Sequence, residues 1–212
     1  MTMWSKLLRK YWYITFGLFL LVGVAFGWII YQKSIDTQWA KATDSYRRAD
    51  YDATAKILNK LPVPTNDEER LAMYAQTMLA TRQLDKSADA YEQLYKLKKD
   101  PFAKLVRGNI YNEQKKYDEA AKIYNELIDA NPSYVQAYVN LATLYKLQNN
   151  NTKAVEVAKQ GVKNNPNNTV LLELLVSLTM QDKSSQDFKD AFSQLKTVNP
   201  NDPLIEMIEK ES

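Results

Sequence analysis

The chain has 212 residues, 45% of them hydrophobic and 25% charged, which is enough for one domain of ordinary size and an appendage. It contains no Cys and no His, which excludes disulfides, thiolate or imidazole metal sites and Cys- or His-based catalysis, and its 5 Gly and 7 Pro are too few for a Gly-rich phosphate loop or many short strands. Residues 1–31 contribute the whole net charge of +3, and the neutral remainder argues against nucleic acid as a partner.

The N-terminal segment has the pattern of a membrane anchor. Residues 11–31 carry no charge, and at ~1.5 Å per residue a helix of this length crosses a hydrocarbon core of roughly 30 Å. Aromatic residues lie at both ends, as at two membrane interfaces: Trp4, Tyr11, Trp12, Tyr13, Trp28 and Tyr31. We therefore predict a transmembrane signal-anchor helix over 11–31 in contact with the lipid bilayer. A cleaved signal peptide is the alternative, but cleavage near Gly23-Val24-Ala25 would leave an exposed apolar N-terminus.

Charge around this segment predicts its orientation. Lys6, Arg9 and Lys10 precede it, whereas only Lys33 follows closely, so residues 1–10 are predicted to be a basic cytoplasmic N-terminus and the body to lie outside, as in a bacterial inner-membrane protein. Lys41, Arg47 and Arg48, farther along the chain, weaken this bias. The Gly23-x-x-x-Gly27 spacing is one through which membrane helices dimerise, but glycine is common in such helices, so we do not favour a homodimer.

The segment after the anchor is predicted to continue the same helix. No Gly or Pro occurs between Gly27 and Pro62, and Ile35, Trp39, Ala42 and Tyr46 form one apolar stripe. Pro62 and Pro64 then impose an extended connection, with Thr65 or Asn66 available to cap the next helix.

Prolines reveal internal repeats in the body. Pro132, Pro166 and Pro200 are spaced by 34 residues and each follows an Asn, a period that indicates stacked helical hairpins. Between residues 101 and 134 the signature residues are Gly108, Tyr111, Tyr117, Ala120, Tyr124 and Pro132. This pattern resembles the tetratricopeptide repeat family. Gly108 and Ala120 are small where two antiparallel helices should touch. Unit 135–168 is a second good copy that departs at Asn151 and Gly161, and the last unit carries Val176 where a small residue is expected.

The resemblance implies an all-α fold, a right-handed superhelix of about five helical hairpins (an α-solenoid) after one transmembrane helix. The repeat domain is placed at 32–202 and a C-terminal capping helix at 203–212. The units are expected at about 35–67, 68–100, 101–134, 135–168 and 169–202.

In this family the first helix of each unit lines a concave groove that binds proteins or peptide segments. The corresponding positions here are Trp39, Tyr46, Gln76, Leu79, Asn109, Asn112, Glu113, Gln136, Asn140, Thr143 and Lys146. Asn109 and Asn140 fit the asparagine positions of the family's carboxylate clamp, but Leu105, Val170 and Leu174 stand where its basic residues belong. The groove is thus expected to be rich in polar amides that bond a peptide backbone, unless these residues are simply a solvated face.

The predicted function is a membrane-anchored protein-interaction scaffold, an assembly or chaperone-like factor at a bacterial envelope complex. The layout is similar to that of the ancillary Sec translocon subunit family. The alternatives are an assembly factor for pili or c-type cytochromes and a cytoplasm-facing organelle receptor for targeting sequences. We predict no enzyme, no cofactor and no metal, because carboxylate pairs such as Asp118-Glu119 lie at helix starts, where they complement the helix dipole.

Overall fold

The computed structural model describes residues 3–210, with the backbone alone for 3–10 and 13–15. The side chains of Lys6, Arg9, Lys10 and Tyr13, on which part of the anchor prediction depends, therefore lie outside the description, as do residues 211–212 of the predicted capping helix. Within 3–210 the chain forms eleven α-helices and no strand, which confirms the all-α class. They are α1 Met3–Arg47, α2 Tyr51–Leu58, α3 Glu68–Ala80, α4 Leu84–Lys98, α5 Pro101–Glu113, α6 Tyr117–Ala130, α7 Val135–Leu147, α8 Asn151–Asn164, α9 Thr169–Thr179, α10 Gln186–Val198 and α11 Pro203–Lys210.

Helix α1 is continuous from the apolar segment into the body, as predicted. Its residues from Leu18 to Tyr31 are exposed, whereas Trp39, Ala42 and Ser45 are buried. One helix therefore has two environments, because among its described side chains those of the C-terminal part are the ones that pack on neighbouring helices.

The chain divides into two compact units, Met1–Gln83 and Leu84–Ser212. In the first, α1, α2 and α3 pack on one another around a core that includes Leu58, Leu71 and Met78. In the second, each helix from α4 to α11 packs on the next, as in an α-solenoid. Its core contains one cluster around Tyr124 and Tyr138 and another around Leu172 and Leu195.

Each of the first four hairpins turns in the same way without a glycine. Ala49, Arg82, Lys115 and Asn149 have φ between 58° and 60°, in the left-handed region. The residue that follows each one donates its N–H to a carbonyl five residues earlier, for example Lys116 to Tyr111 at 2.8 Å and Asn150 to Tyr145 at 2.9 Å. This is the Schellman ending of a helix. The same backbone turn thus recurs once in each of the first four repeat units.

Two glycines lie where helices touch. A Cβ on Gly108 would lie 2.8 Å from Tyr124 Cε1 and 3.0 Å from Ile123 Cγ2, which confirms the predicted close crossing of α5 and α6. Gly161 departs from the family pattern, yet a Cβ there would lie 3.0 Å from Leu171 Cδ2 and 3.1 Å from Tyr138 Cβ. It is therefore a second close approach, between α8 and its neighbours α7 and α9.

The start of α3 corrects one expectation. Neither Thr65 nor Asn66 caps this helix. Asp67 does, since its Oδ1 accepts a hydrogen bond from Arg70 N at 3.0 Å. A carboxylate satisfies a free N–H and also complements the positive end of the helix dipole.

Candidate protein-binding groove

Three of the predicted groove residues form a chain of amides across α5 and α7. Gln136 Nε2 donates to Asn140 Oδ1 at 2.8 Å, and Asn140 Nδ2 donates to Asn109 Oδ1 at 2.7 Å. Residues from two successive units thereby meet on one surface. We call Gln136, Asn140 and Asn109 the amide chain.

The buried Tyr124 forms a hydrogen bond with Asn109, the last member of the amide chain. The Tyr124 hydroxyl donates to Asn109 Oδ1 at 2.8 Å, and only 1% of the Tyr124 surface is exposed. Burial raises the pKa of Tyr124 to about 12, with hydrogen bonding to Asn140 opposing the shift. The hydroxyl therefore stays protonated at neutral pH and remains a donor to Asn109.

Next to the amide chain, Asn112 offers an unused acceptor. Its Oδ1 is buried and has no hydrogen-bond partner among the residues that the structure describes, although the residue as a whole is only half-buried. A buried acceptor without a partner is uncommon in native proteins. The remaining predicted members of this surface, Glu113, Thr143 and Lys146, are exposed.

Four predicted groove residues lie in the compact unit Met1–Gln83 and are not part of the amide chain: Trp39, Tyr46, Gln76 and Leu79. The Tyr46 hydroxyl donates to Gln76 Oε1, and Leu79 is half-buried. Burial, together with the neighbouring Tyr51, raises the pKa of Tyr46, which keeps its hydroxyl a donor.

Trp39 is a correction to the predicted groove, because it belongs to the core. Only 2% of its surface is exposed. The Arg70 guanidinium lies 5.4 Å from its ring centroid and is held there by Asp36 at 3.0 Å and Asp67 at 3.3 Å. Trp39 therefore has almost no surface left for a ligand.

Comparison with known proteins supports the repeats directly. Two tetratricopeptide repeat profiles match the chain, one over residues 75–135 and the other over residues 111–178. The chain contains tetratricopeptide repeats. The chain is 37% identical over 62 residues to the Hsp70-Hsp90 organising protein of Plasmodium falciparum (isolate 3D7), a match that covers 29% of this chain and 11% of that protein.

Solved tetratricopeptide repeat structures share the fold. A crystal structure of MamA protein is similar with a TM-score of 0.59 and 14% identity, covering 78% of this chain and 92% of that one. TTC0263, a thermophilic TPR protein in Thermus thermophilus, is similar with a TM-score of 0.50 and 15% identity, covering 84% of this chain and 97% of that one. At these identities the likeness shows the fold alone.

Within the repeats, the structure explains why a carboxylate clamp is not assembled at the predicted positions. Asn109 and Asn140 lie close together as the clamp requires, but Leu105 is buried and Leu174 is half-buried against a hydrophobic cluster. Val170 is exposed but carries no charge. The surface thus has the amides of a clamp without the cations that would hold a carboxylate.

One concave surface of the compact unit Leu84–Ser212 contains none of the groove residues predicted from the sequence. A cavity of about 510 Å³ lies between α8 and the Met180–Asp182 3₁₀ turn, lined by residues that include Val155, Lys159 and Leu178. The signal in the sequence is weak, since the fifth unit carries Val176 where the repeat pattern expects a small residue. None of the predicted groove residues lines this cavity. Among the described residues no group of three or more Asp or Glu is arranged to hold a metal ion.

Proposed function

We propose that this tetratricopeptide repeat protein is a membrane-anchored scaffold that binds other proteins and assists the assembly of a bacterial envelope complex. The amide chain is the observation that carries the proposal. Tetratricopeptide repeats are protein-interaction scaffolds, and a binding role agrees with a surface that presents amides rather than paired acids and bases.

The chemistry of this surface favours recognition of a peptide backbone. Amide side chains both donate and accept, so they bond the N–H and C=O groups that every peptide carries. The exposed Lys146 and Glu113 would favour complementary charges at either side. Such a site tolerates different partner sequences, which suits a chaperone-like or assembly factor.

Helix α1 supports the membrane part of the proposal. It is long and apolar enough to cross a membrane, and none of its most apolar window is buried within the protein. A lipid bilayer would cover this surface, and residues 11–31 would then be the anchor, with the N-terminus in the cytoplasm. The layout similarity to the ancillary Sec subunit family makes a translocon one candidate complex.

The groove is tested with a double variant that leaves the core intact. Gln136→Ala with Asn140→Ala removes two members of the amide chain but keeps the Tyr124–Asn109 hydrogen bond. Proteins that copurify with the full chain in mild detergent are quantified by mass spectrometry, and we expect the partner signal to fall. Asn125→Ala is the matched control, because its exposed amide donates to Ala121 O of its own helix, at 3.0 Å, and is not part of the amide chain. Equal capture by the double variant and the control would contradict the groove.

Orientation is tested separately. Protease added to intact spheroplasts should digest residues 32–212 if the body lies outside the cytoplasm. Full protection of the body would overturn the orientation and favour the cytoplasm-facing receptor for targeting sequences.

A further inference from the structure

The loop between α2 and α3 lies beside the end of the apolar segment of α1. Residues 61–66 have the sequence Leu-Pro-Val-Pro-Thr-Asn and carry no charge. Val63 is 38% exposed although it is apolar, and Pro62 is exposed as well. The loop thus presents an uncharged, partly apolar surface that the first unit does not cover.

Two cavities show where along α1 this loop lies. One of about 310 Å³ is lined by Tyr31, Ile35 and Pro62 among others. The second, of about 580 Å³, is lined by residues that include Trp28, Trp39 and Val63. The loop therefore lies beside α1 between Trp28 and Trp39, a stretch that begins where the charge-free segment ends.

This level is that of a membrane interface if residues 11–31 span the bilayer. A helix of that length covers roughly 30 Å, the thickness of the hydrocarbon core, so Tyr31 would lie at its edge. Trp28 and Tyr31 are residue types that prefer this interface. Lys60 precedes the loop, Asp67 follows it, and Lys33 lies two residues after Tyr31 on α1. Both lysines are exposed and long enough to reach lipid phosphates.

The backbone of the loop is also suited to an interface. Pro62 and Pro64 have no N–H group to leave without a partner. Thr65 N donates to Val63 O at 3.0 Å, and Leu61 N donates to Leu58 O at 3.0 Å. Contact with lipid therefore costs less than it would for a loop with many free donors.

We propose that residues 61–66 are a second membrane contact, in which Pro62 and Val63 enter the headgroup region of the bilayer beside Trp28 and Tyr31. This inference rests on the proposed insertion of residues 11–31. A single helix through a membrane can rotate about its own axis, whereas two contacts fix the rotation of the first unit. The loop would thereby present the face of α3 that carries Gln76 in one direction relative to the membrane plane.

Because the chain has no cysteine, single cysteines can report the position of each residue. We would introduce Leu20→Cys, Val63→Cys and Tyr51→Cys separately into the full chain, attach an environment-sensitive NBD fluorophore, and reconstitute each protein into phosphatidylethanolamine and phosphatidylglycerol vesicles. Nitroxide lipids with the quencher near the headgroup or near the chain end then measure depth. Tyr51 is a matched control because it is 39% exposed and packs on Tyr46, which lies roughly 27 Å along α1 from Trp28.

The expected result is quenching at position 63 by the headgroup nitroxide, quenching at position 20 by the chain-end nitroxide, and neither at position 51. If position 20 is quenched while position 63 is as accessible to water as position 51, the loop contact is wrong and the anchor stands. If position 20 is not quenched, the proposed anchor fails and the loop contact with it. Far-UV circular dichroism of each labelled protein verifies that the helical fold is retained.

Discussion

The apolar part of α1 and the apolar faces of the repeat helices have similar side chains in opposite surroundings. Phe19 is 79% exposed and Val24 is 70% exposed, whereas Leu171 and Leu172 of α9 are completely buried. The repeat helices alternate apolar and polar faces at the helical period, so they can bury one face and solvate the other. The first segment is apolar all round, so a few neighbouring helices could not cover it. Burial within this protein is thus decided by pattern and neighbours, not by hydrophobicity alone.

Glycine shows the same contrast. A Cβ on Gly17, Gly23 or Gly27 would meet nothing within 4 Å, whereas one on Gly108 or Gly161 would collide with neighbouring side chains. The glycines of α1 contact no neighbouring side chain, whereas Gly108 and Gly161 permit two helices of the repeats to approach closely.

Arginine introduced into the apolar part of α1 or into the repeat core should produce the largest effects. The first change should affect membrane insertion and the second should affect the stability of the repeats. Leu20→Arg with Val24→Arg should prevent stable membrane insertion, since each arginine at the centre of a span costs about 2.5–3.5 kcal/mol, while the repeats melt as before. Leu141→Arg buries a charge in the repeat core and should unfold the second unit while the chain stays in the membrane. Alkaline extraction of membranes and thermal circular dichroism measure the two properties. Loss of both properties in either variant would show that the regions are not independent.

Gly108→Leu and Gly23→Leu sharpen the comparison of glycines. Both exchanges bring the same gain in helix propensity, but leucine at Gly108 must displace Tyr124 and Ile123. We expect Gly108→Leu to lower the free energy of unfolding by roughly 1–3 kcal/mol, with damage spreading to adjacent repeats, and Gly23→Leu to leave it unchanged. Thermal unfolding of the full chain in detergent measures both. Equal melting of the two variants would mean that the assigned repeat positions are wrong. A change in oligomeric state with Gly23→Leu alone would revive the homodimer.

Tyr124 provides a pH-dependent test of burial in the repeats. Its pKa is about 12 in the folded protein and 10.0 in the reference state, so between these values the unfolded chain releases a proton that the folded chain keeps. This contribution to stability is complete below pH 10 and is lost as the pH rises to about 12, by on the order of 2 kcal/mol. Tyr124→Phe should therefore show a shallower loss of stability over this range in urea titrations. A slope identical to that of the unaltered chain would contradict the burial of the hydroxyl.

The hairpin turns should give the smallest effect. Lys115 adopts a left-handed conformation that costs an ordinary residue about 1–2 kcal/mol, so Lys115→Gly should stabilise the repeats by roughly 0.5–1 kcal/mol. Asn149→Gly is the matched control, because asparagine already tolerates this conformation and should gain less. Chemical denaturation of the full chain compares the two. Destabilisation by Lys115→Gly would contradict the Schellman ending at this turn.

The amide groove shows where sequence reasoning reaches its limit. The repeat period placed Asn109, Asn112 and Asn140 on first helices, and the structure joins Asn140 to Asn109 directly. Nothing in the period indicated that the Tyr124 hydroxyl donates to Asn109, which makes this residue part of the packing as well as of the surface. Trp39 was misassigned for a related reason, since the arginine that covers it lies in another helix.

The sequence by itself determined the helical class, the continuity of α1 from the apolar segment into the body and the crossing at Gly108, because composition, hydrophobic period and small residues act locally or between neighbouring helices of one repeat. The tertiary structure alone decided that Gly161 is a contact, that Trp39 is buried and that the four hairpin turns at Ala49, Arg82, Lys115 and Asn149 adopt the left-handed conformation without glycine. These features depend on which side chains of successive helices meet. Such contacts follow from packing in three dimensions, which the repeat period of the sequence does not specify.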